Sequence, residues 1–106
     1  MIAYVLALAV AILFAATPAF AQERDVLVAG GKKLFIEQGC YGCHTMEKIG
    51  TPIAPDLSHV GSTYPESYLA RWLRDPASQK PNAHMPKLEL NEEEIKALAA
   101  YLASLR

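Results

Sequence analysis

The sequence predicts an all-α domain. Three observations lead there: apolar residues recur at helical spacing in three segments, those segments are bounded by capping and stop signals, and no stretch shows strand-like apolar–polar alternation. Prolines gather between the segments, at Pro52, Pro55, Pro76, Pro81 and Pro86, so the connections read as stiff loops. No repeat, low-complexity tract or linker divides the chain, which implies one domain behind an apolar N-terminal run.

That run comes first. Ile2 to Phe20 carry no charged residue and lead into Ala19-Phe20-Ala21, the small-x-small pattern read by signal peptidase. Residues 1–21 therefore read as a signal peptide cleaved after Ala21, and residues 22–106 as the mature domain. The start of the run lacks Lys and Arg, which leaves an uncleaved membrane anchor as the alternative, since such a run is just long enough to span a bilayer. No cysteine lies near residue 21, which excludes a lipoprotein anchor. Both readings place the domain outside the cytoplasm, periplasmic or otherwise extracytoplasmic, with membrane contact only if the segment is retained.

The first helix is expected over Asp25 to Gln38, with Val28, Leu34 and Phe35 among its apolar positions, Asp25 as its cap and Gly39 as its stop. Gly30 and Gly31 each weaken a helix interior by roughly 1 kcal/mol relative to Ala, a cost that suggests close approach by another backbone or ring. The second helix is expected from Thr63-Tyr64-Pro65-Glu66, a capping-box pattern in which Thr63 accepts from the Glu66 amide and Glu66 reaches back. Tyr68, Leu69, Trp72 and Leu73 share one face of it, and Asp75-Pro76 stops it. The last helix has Asn91 as its cap with Glu94 three residues on, a Leu90/Ile95 staple, and Glu92, Glu93 and Glu94 at the positive end of the dipole. Its apolar stripe is Ile95, Leu98, Ala99, Leu102 and Leu105.

Between the first two helices lies Cys40-Tyr41-Gly42-Cys43-His44, the pattern C-x-x-C-H, which uses both cysteines of the chain. Two thiols at this spacing can add across the two vinyl groups of one haem, leaving the following histidine beneath the ring to ligate iron. A structural zinc site needs four ligands, and no second Cys pair or His-x3–5-His run supplies them. A thioredoxin-like motif would accompany a βαβ pattern, which is absent, and a disulfide here would close too short a loop to stabilise much. Covalent haem is the favoured reading over these. It also answers a size problem, because a domain this small supports only a marginal core unless an apolar macrocycle completes it. Ten Lys and Arg against eleven Asp and Glu give a net charge of −1, and with no basic cluster nothing argues for nucleic acid.

Taken in order, these residues resemble the small class I c-type cytochromes, over about Gly31 to Leu105. In that family a Gly and a Phe four residues apart on the first helix pack against an aromatic of the last helix, which Gly31, Phe35 and Tyr101 match. Cys40, Cys43 and His44 match the attachment motif for one haem c. Ala54-Pro55-Asp56-Leu57 matches the segment whose proline carbonyl, here Pro55, accepts from the proximal imidazole, and Met85-Pro86 resembles the methionine ligand in a proline-bearing loop. The resemblance implies the class I cytochrome c fold, with three main helices and proline-rich loops around one covalent haem. The short interval between His44 and Met85 is similar to that in short bacterial forms and in cytochrome domains attached to oxidase subunits.

The sixth ligand separates a carrier from a catalyst. Met46 lies too close to His44 to reach the opposite haem face and is expected to pack beside the motif, while His59 is expected at the surface. His84 and Met85 are adjacent, and Met85 is preferred because a thioether suits a haem face closed to water. Trp72 and Tyr68 could line the haem or donate to a propionate, with ordinary packing of the second helix as the alternative. With His44 and Met85 both on iron no position is open to substrate, so the expectation is a one-electron carrier rather than an enzyme. The resemblance implies redox protein partners such as a terminal oxidase, a quinol-oxidising complex or a periplasmic dehydrogenase. Lys48, Lys80 and Lys87 lie in loops where they could form a docking patch for an acidic partner. Two alternatives remain: a haem-bearing subunit of a membrane-bound redox complex, and a gas-binding or catalytic haem protein with Met85 displaced. The covalent assignment predicts that intact mass after acid–acetone extraction still carries one haem, and loss of the group on extraction would overturn it.

Overall fold

The computed structural model describes residues 19–106. The leader assigned to residues 1–21 lies outside them except for Ala19, Phe20 and Ala21. In chain order the elements are α1 (Ala19–Glu37), a 3-10 turn (Cys40–Gly42), β1 (Thr45–Met46), β2 (Ile49–Gly50), α2 (Val60–Thr63), α3 (Glu66–Arg74), α4 (Pro76–Gln79) and α5 (Glu92–Ser104).

Helix α5 is the centre of the packing. It lies against both α1 and α3, and Ile95, Ala97, Leu98, Ala99, Ala100, Tyr101 and Leu102 are all buried. Burial on so many sides exceeds the single stripe the sequence suggests, because two helices rather than one cover it. Its start is the expected capping box: Asn91 Oδ1 accepts from the Glu94 amide at 2.8 Å, and Glu94 Oε1 accepts from the Asn91 amide at 3.0 Å. Two orphan donors of the first turn are thereby satisfied.

The crossing of α1 and α5 explains one of the two helix-breaking glycines. A Cβ at Gly31 would collide with the Ala97 carbonyl oxygen and lie 2.6 Å from Tyr101 Cβ, whereas one at Gly30 would meet nothing within 4 Å. Four residues beyond Gly31, Phe35 is 1% exposed. Its ring meets Tyr101 at 5.6 Å and Tyr41 at 5.0 Å, both edge-on, a geometry suited to aromatic quadrupoles. Gly39 then ends α1 in the left-handed region, at φ 71°, where a glycine pays no Cβ penalty.

Three local expectations are corrected. Asp25 does not cap α1: the helix already runs from Ala19, carried by the strong helix formers Ala21, Gln22, Glu23 and Arg24. Thr63 does not cap α3. It ends the short α2, Pro65 takes the capping position without a side-chain hydrogen bond, and the Glu66 carboxylate pairs in bidentate fashion with Arg24 of α1. A guanidinium fork outcompetes the reciprocal bond to the backbone. The third correction is a small antiparallel hairpin of β1 and β2, pairing Thr45 with Gly50 and Met46 with Ile49. Its two-residue turn, Glu47 and Lys48, has both φ angles positive, 49° and 70°. Such turns are ordinarily Asn-Gly or Asp-Gly, so Glu-Lys carries no hairpin signal.

Asp75-Pro76 does end α3, and Pro76, buried at the first position of α4, restarts a single turn. Arg74 at the end of α3 is held by Glu92 at the start of α5, at 2.9 and 2.7 Å, which keeps the Glu92 carboxyl below its ordinary range. The contrast between the glycines yields a paired expectation. Gly30→Ala should raise stability by up to about 1 kcal/mol through helix propensity. Gly31→Ala should instead lower it by roughly 1–3 kcal/mol through overpacking; urea midpoints of the two variants measure both signs.

Candidate haem site

The attachment motif is folded into one tight turn. The Gly42 amide donates to Gly39 O at 2.9 Å, the Cys43 amide to Cys40 O at 3.3 Å, and the His44 amide to Cys40 O at 2.9 Å. Both cysteines are free thiols, Cys40 half-buried and Cys43 exposed. Burial pushes the Cys40 thiol up. The loop that follows is laced back onto the motif, with the Ala54 amide on Cys43 O at 2.7 Å, the Ile53 amide on the same oxygen at 3.2 Å, and the Leu57 amide on Thr45 O at 2.9 Å.

That lacing brings Pro55 to His44. Their contact, His44 Nδ1 to Pro55 O, is 2.7 Å. A carbonyl can only accept, so Nδ1 carries a proton and Nε2 is the nitrogen left to serve as a ligand. Such an imidazole, oriented by a backbone carbonyl, is suited to binding a metal through its other nitrogen. Beside this pair, Asp56 Oδ1 accepts from Thr45 Oγ1 at 2.7 Å, and Asp56 Oδ2 from the Ser58 amide at 3.0 Å. Those donors hold the Asp56 carboxyl below the usual carboxylate range.

The candidate sixth ligands separate clearly. Met46 is buried at 7% exposure, and its sulfur accepts from the Tyr101 hydroxyl at 3.4 Å, so it belongs to the core. His59 is exposed and precedes α2; His84 is exposed as well. Met85 is half-buried and packs, like Cys40, against the main apolar cluster. Its Sδ accepts from Trp72 Nε1 at 3.1 Å. Trp72 continues a run of rings along α3, 6.4 Å from Tyr68, which stacks on Tyr64 at 4.8 Å. The meeting of the Trp72 donor with Met85 has no signature in the sequence, where the indole reads as haem-lining, propionate-binding or ordinary packing of the second helix.

The donor set suits haem c: two free thiols on one turn, a backbone-oriented imidazole, and a thioether placed by an aromatic donor. Among the described residues no group of three or more His, Cys, Asp or Glu could hold a metal ion by itself, so the zinc reading has no ligand set there. The lysines are spread unevenly. Lys80 and Lys87 are exposed on either side of Met85, whereas Lys48 lines a shallow groove with Glu47, Asp56, His59 and Arg106, where the charge is mixed rather than basic. No helix among the described residues is long and apolar enough to cross a membrane.

Comparison with known proteins agrees with this geometry. A family model described as Cytochrome c matches residues 28–106. The chain is 35% identical to cytochrome c oxidase subunit 2 of Alkalihalophilus pseudofirmus, covering 80% of this chain and 28% of that protein. It is 31% identical to a nitric oxide reductase subunit of Halomonas halodenitrificans, covering 71% of this chain and 56% of that one. It thus spans between about a quarter and three fifths of the curated relatives it matches. The crystal structure of the c-type cytochrome SorU from Sinorhizobium meliloti superimposes with a TM-score of 0.60 at 22% identity, covering 76% of this chain and 92% of that one, which shows the shared fold. On the matched family model, the ordered motif residues and the helical architecture together, the chain belongs to the cytochrome c family as a small class I c-type cytochrome.

Proposed function

We propose that the domain is an extracytoplasmic one-electron carrier whose haem is attached through Cys40 and Cys43 and ligated by His44 and Met85. The observation that carries this is the 2.7 Å contact of His44 Nδ1 with Pro55 O, which leaves the other ring nitrogen free to bind a metal. Haem bound there supplies an Fe(II)/Fe(III) couple, and thioether ligation raises its potential relative to bis-histidine ligation.

The chain's own groups do the rest. The two thiols fix the group to a turn that is itself anchored on Phe35 through Tyr41. Pro55 sets the orientation and basicity of the His44 ring. Trp72 donates to the Met85 sulfur, which would still have a lone pair to offer iron, and Pro86 stiffens the loop behind it. With His44 and Met85 both on iron no position would be left open to substrate, so the chain is read as a carrier and not an enzyme. Haem and helix packing support one another in this scheme, since Phe35 serves both the α1–α5 crossing and the attachment turn.

A second reading draws on the relatives, two of which are named as subunits of an oxidase and of a reductase. In it the domain relays electrons at a fixed place within a membrane-bound redox complex rather than diffusing between partners. Both readings share the same ligands. Met85→Ala should abolish the weak long-wavelength sulfur-to-iron charge-transfer band and lower the potential, while Met46→Ala, which changes only the core, keeps the band. An unchanged spectrum in Met85→Ala together with an altered one in His84→Ala would assign the ligand to His84.

A further inference from the structure

We propose that Asp56 is a positioning residue for the proximal histidine: its carboxylate clamps the segment carrying Pro55 onto the segment carrying His44, and so sets the His44–Pro55 hydrogen bond. The inference rests on His44 being the iron ligand. Pro55 has no amide hydrogen of its own, so its carbonyl is held only by its neighbours. Upstream, the Ala54 amide is tied to Cys43 O; downstream, the Leu57 amide is tied to Thr45 O. Asp56 closes the gap between them.

One carboxylate oxygen accepts from Thr45 Oγ1, on the residue directly after His44, at 2.7 Å, and from Ser58 Oγ at 3.2 Å; the other accepts from the Ser58 amide at 3.0 Å. Ser58 Oγ in turn accepts from the Glu47 amide at 2.8 Å. Glu47 is one of the two turn residues at positive φ, a conformation that costs a non-glycine residue roughly 1 kcal/mol or more. The carboxylate, directly after the Pro55 carbonyl that accepts from the imidazole N–H, thus ties the 45–47 segment that follows His44 to Ser58. All of these groups are reachable by water, and an ionised acceptor holds its donors against that competition better than a neutral one.

The test uses the haem-loaded, reduced protein labelled with 15N at histidine, reading the exchange rate of the His44 Nδ1 proton with solvent. Asp56→Ala and Thr45→Val should each speed that exchange by about tenfold or more, and the double variant should be no faster than the faster single one, because both break the same clamp. Both singles should raise the potential, since a weaker bond to Nδ1 makes the imidazole a poorer donor to Fe(III). Asp56→Asn, which keeps an acceptor for Thr45 and removes the charge, should stay nearer to wild type in exchange than Asp56→Ala does. Unchanged exchange in Thr45→Val, with only a potential shift in Asp56→Ala, would overturn the proposal in favour of a plain charge effect. Equal acceleration in Asp56→Asn and Asp56→Ala would overturn it too, as would core amides accelerating in step with the histidine proton. A wild-type Nε2 nitrogen shift showing no iron ligation would instead refute the underlying assignment of His44, an outcome distinct from all of these.

Discussion

The close crossing of α1 and α5 is the constraint on which the remaining structure depends. Backbone approach at Gly31 lets Ala97 and Tyr101 seat directly on α1, and that seating places Phe35 between the last helix and the attachment turn. Move the helices apart and Phe35 loses Tyr101, leaving Tyr41 as its remaining ring partner. The ring beneath the attachment turn is therefore seated by a helix contact that involves neither cysteine. In a domain this small, where few apolar residues are available, one aromatic serving two interfaces is an economical arrangement.

A second layer of order comes from loops laced to the motif by hydrogen bonds rather than by apolar burial. The segment from Thr51 to Leu57 returns amides to Tyr41, Cys43 and Thr45, and so folds back onto the residues it has just left. The same principle governs the long 80s loop, where the Trp72 indole reaches a sulfur thirteen residues ahead. Helices supply the frame, and donors from side chains and loop backbone fix the atoms that matter.

Much of this was legible in the sequence because it is local. Cys40, Cys43 and His44 declare themselves by spacing, Asn91 and Glu94 by a capping pattern that depends on nothing distant, and Gly39 by its place after a helical run. Pro55 and Met85 came from family resemblance, since neither has a local signature. The failures are long-range. Thr63 and Glu66 carry the same capping pattern as Asn91 and Glu94, yet Arg24, remote in sequence, takes the Glu66 carboxylate. The start of α1 is instead a local matter, in which Asp25 offers a cap that the good helix formers directly before it make unnecessary. The hairpin was invisible because its strands are too short to alternate and its turn residues are atypical; what stabilises Glu47 in that conformation includes the hydroxyl of Ser58, far along the chain.

The two described methionines that matter here differ in how they meet solvent, and this bears on chemical ageing. Met46 is shut inside the core with its sulfur under the Tyr101 hydroxyl, whereas Met85 is half-open, its sulfur touched by a single indole donor. Peroxide or a related oxidant reaching the folded chain meets Met85 before Met46. Conversion to the sulfoxide would place a hard oxygen where a soft thioether stood, and the indole N–H would bond to that oxygen more strongly than to sulfur. If Met85 is the ligand proposed above, the damage would fall on the iron site, whereas Met46 under Tyr101 would be spared.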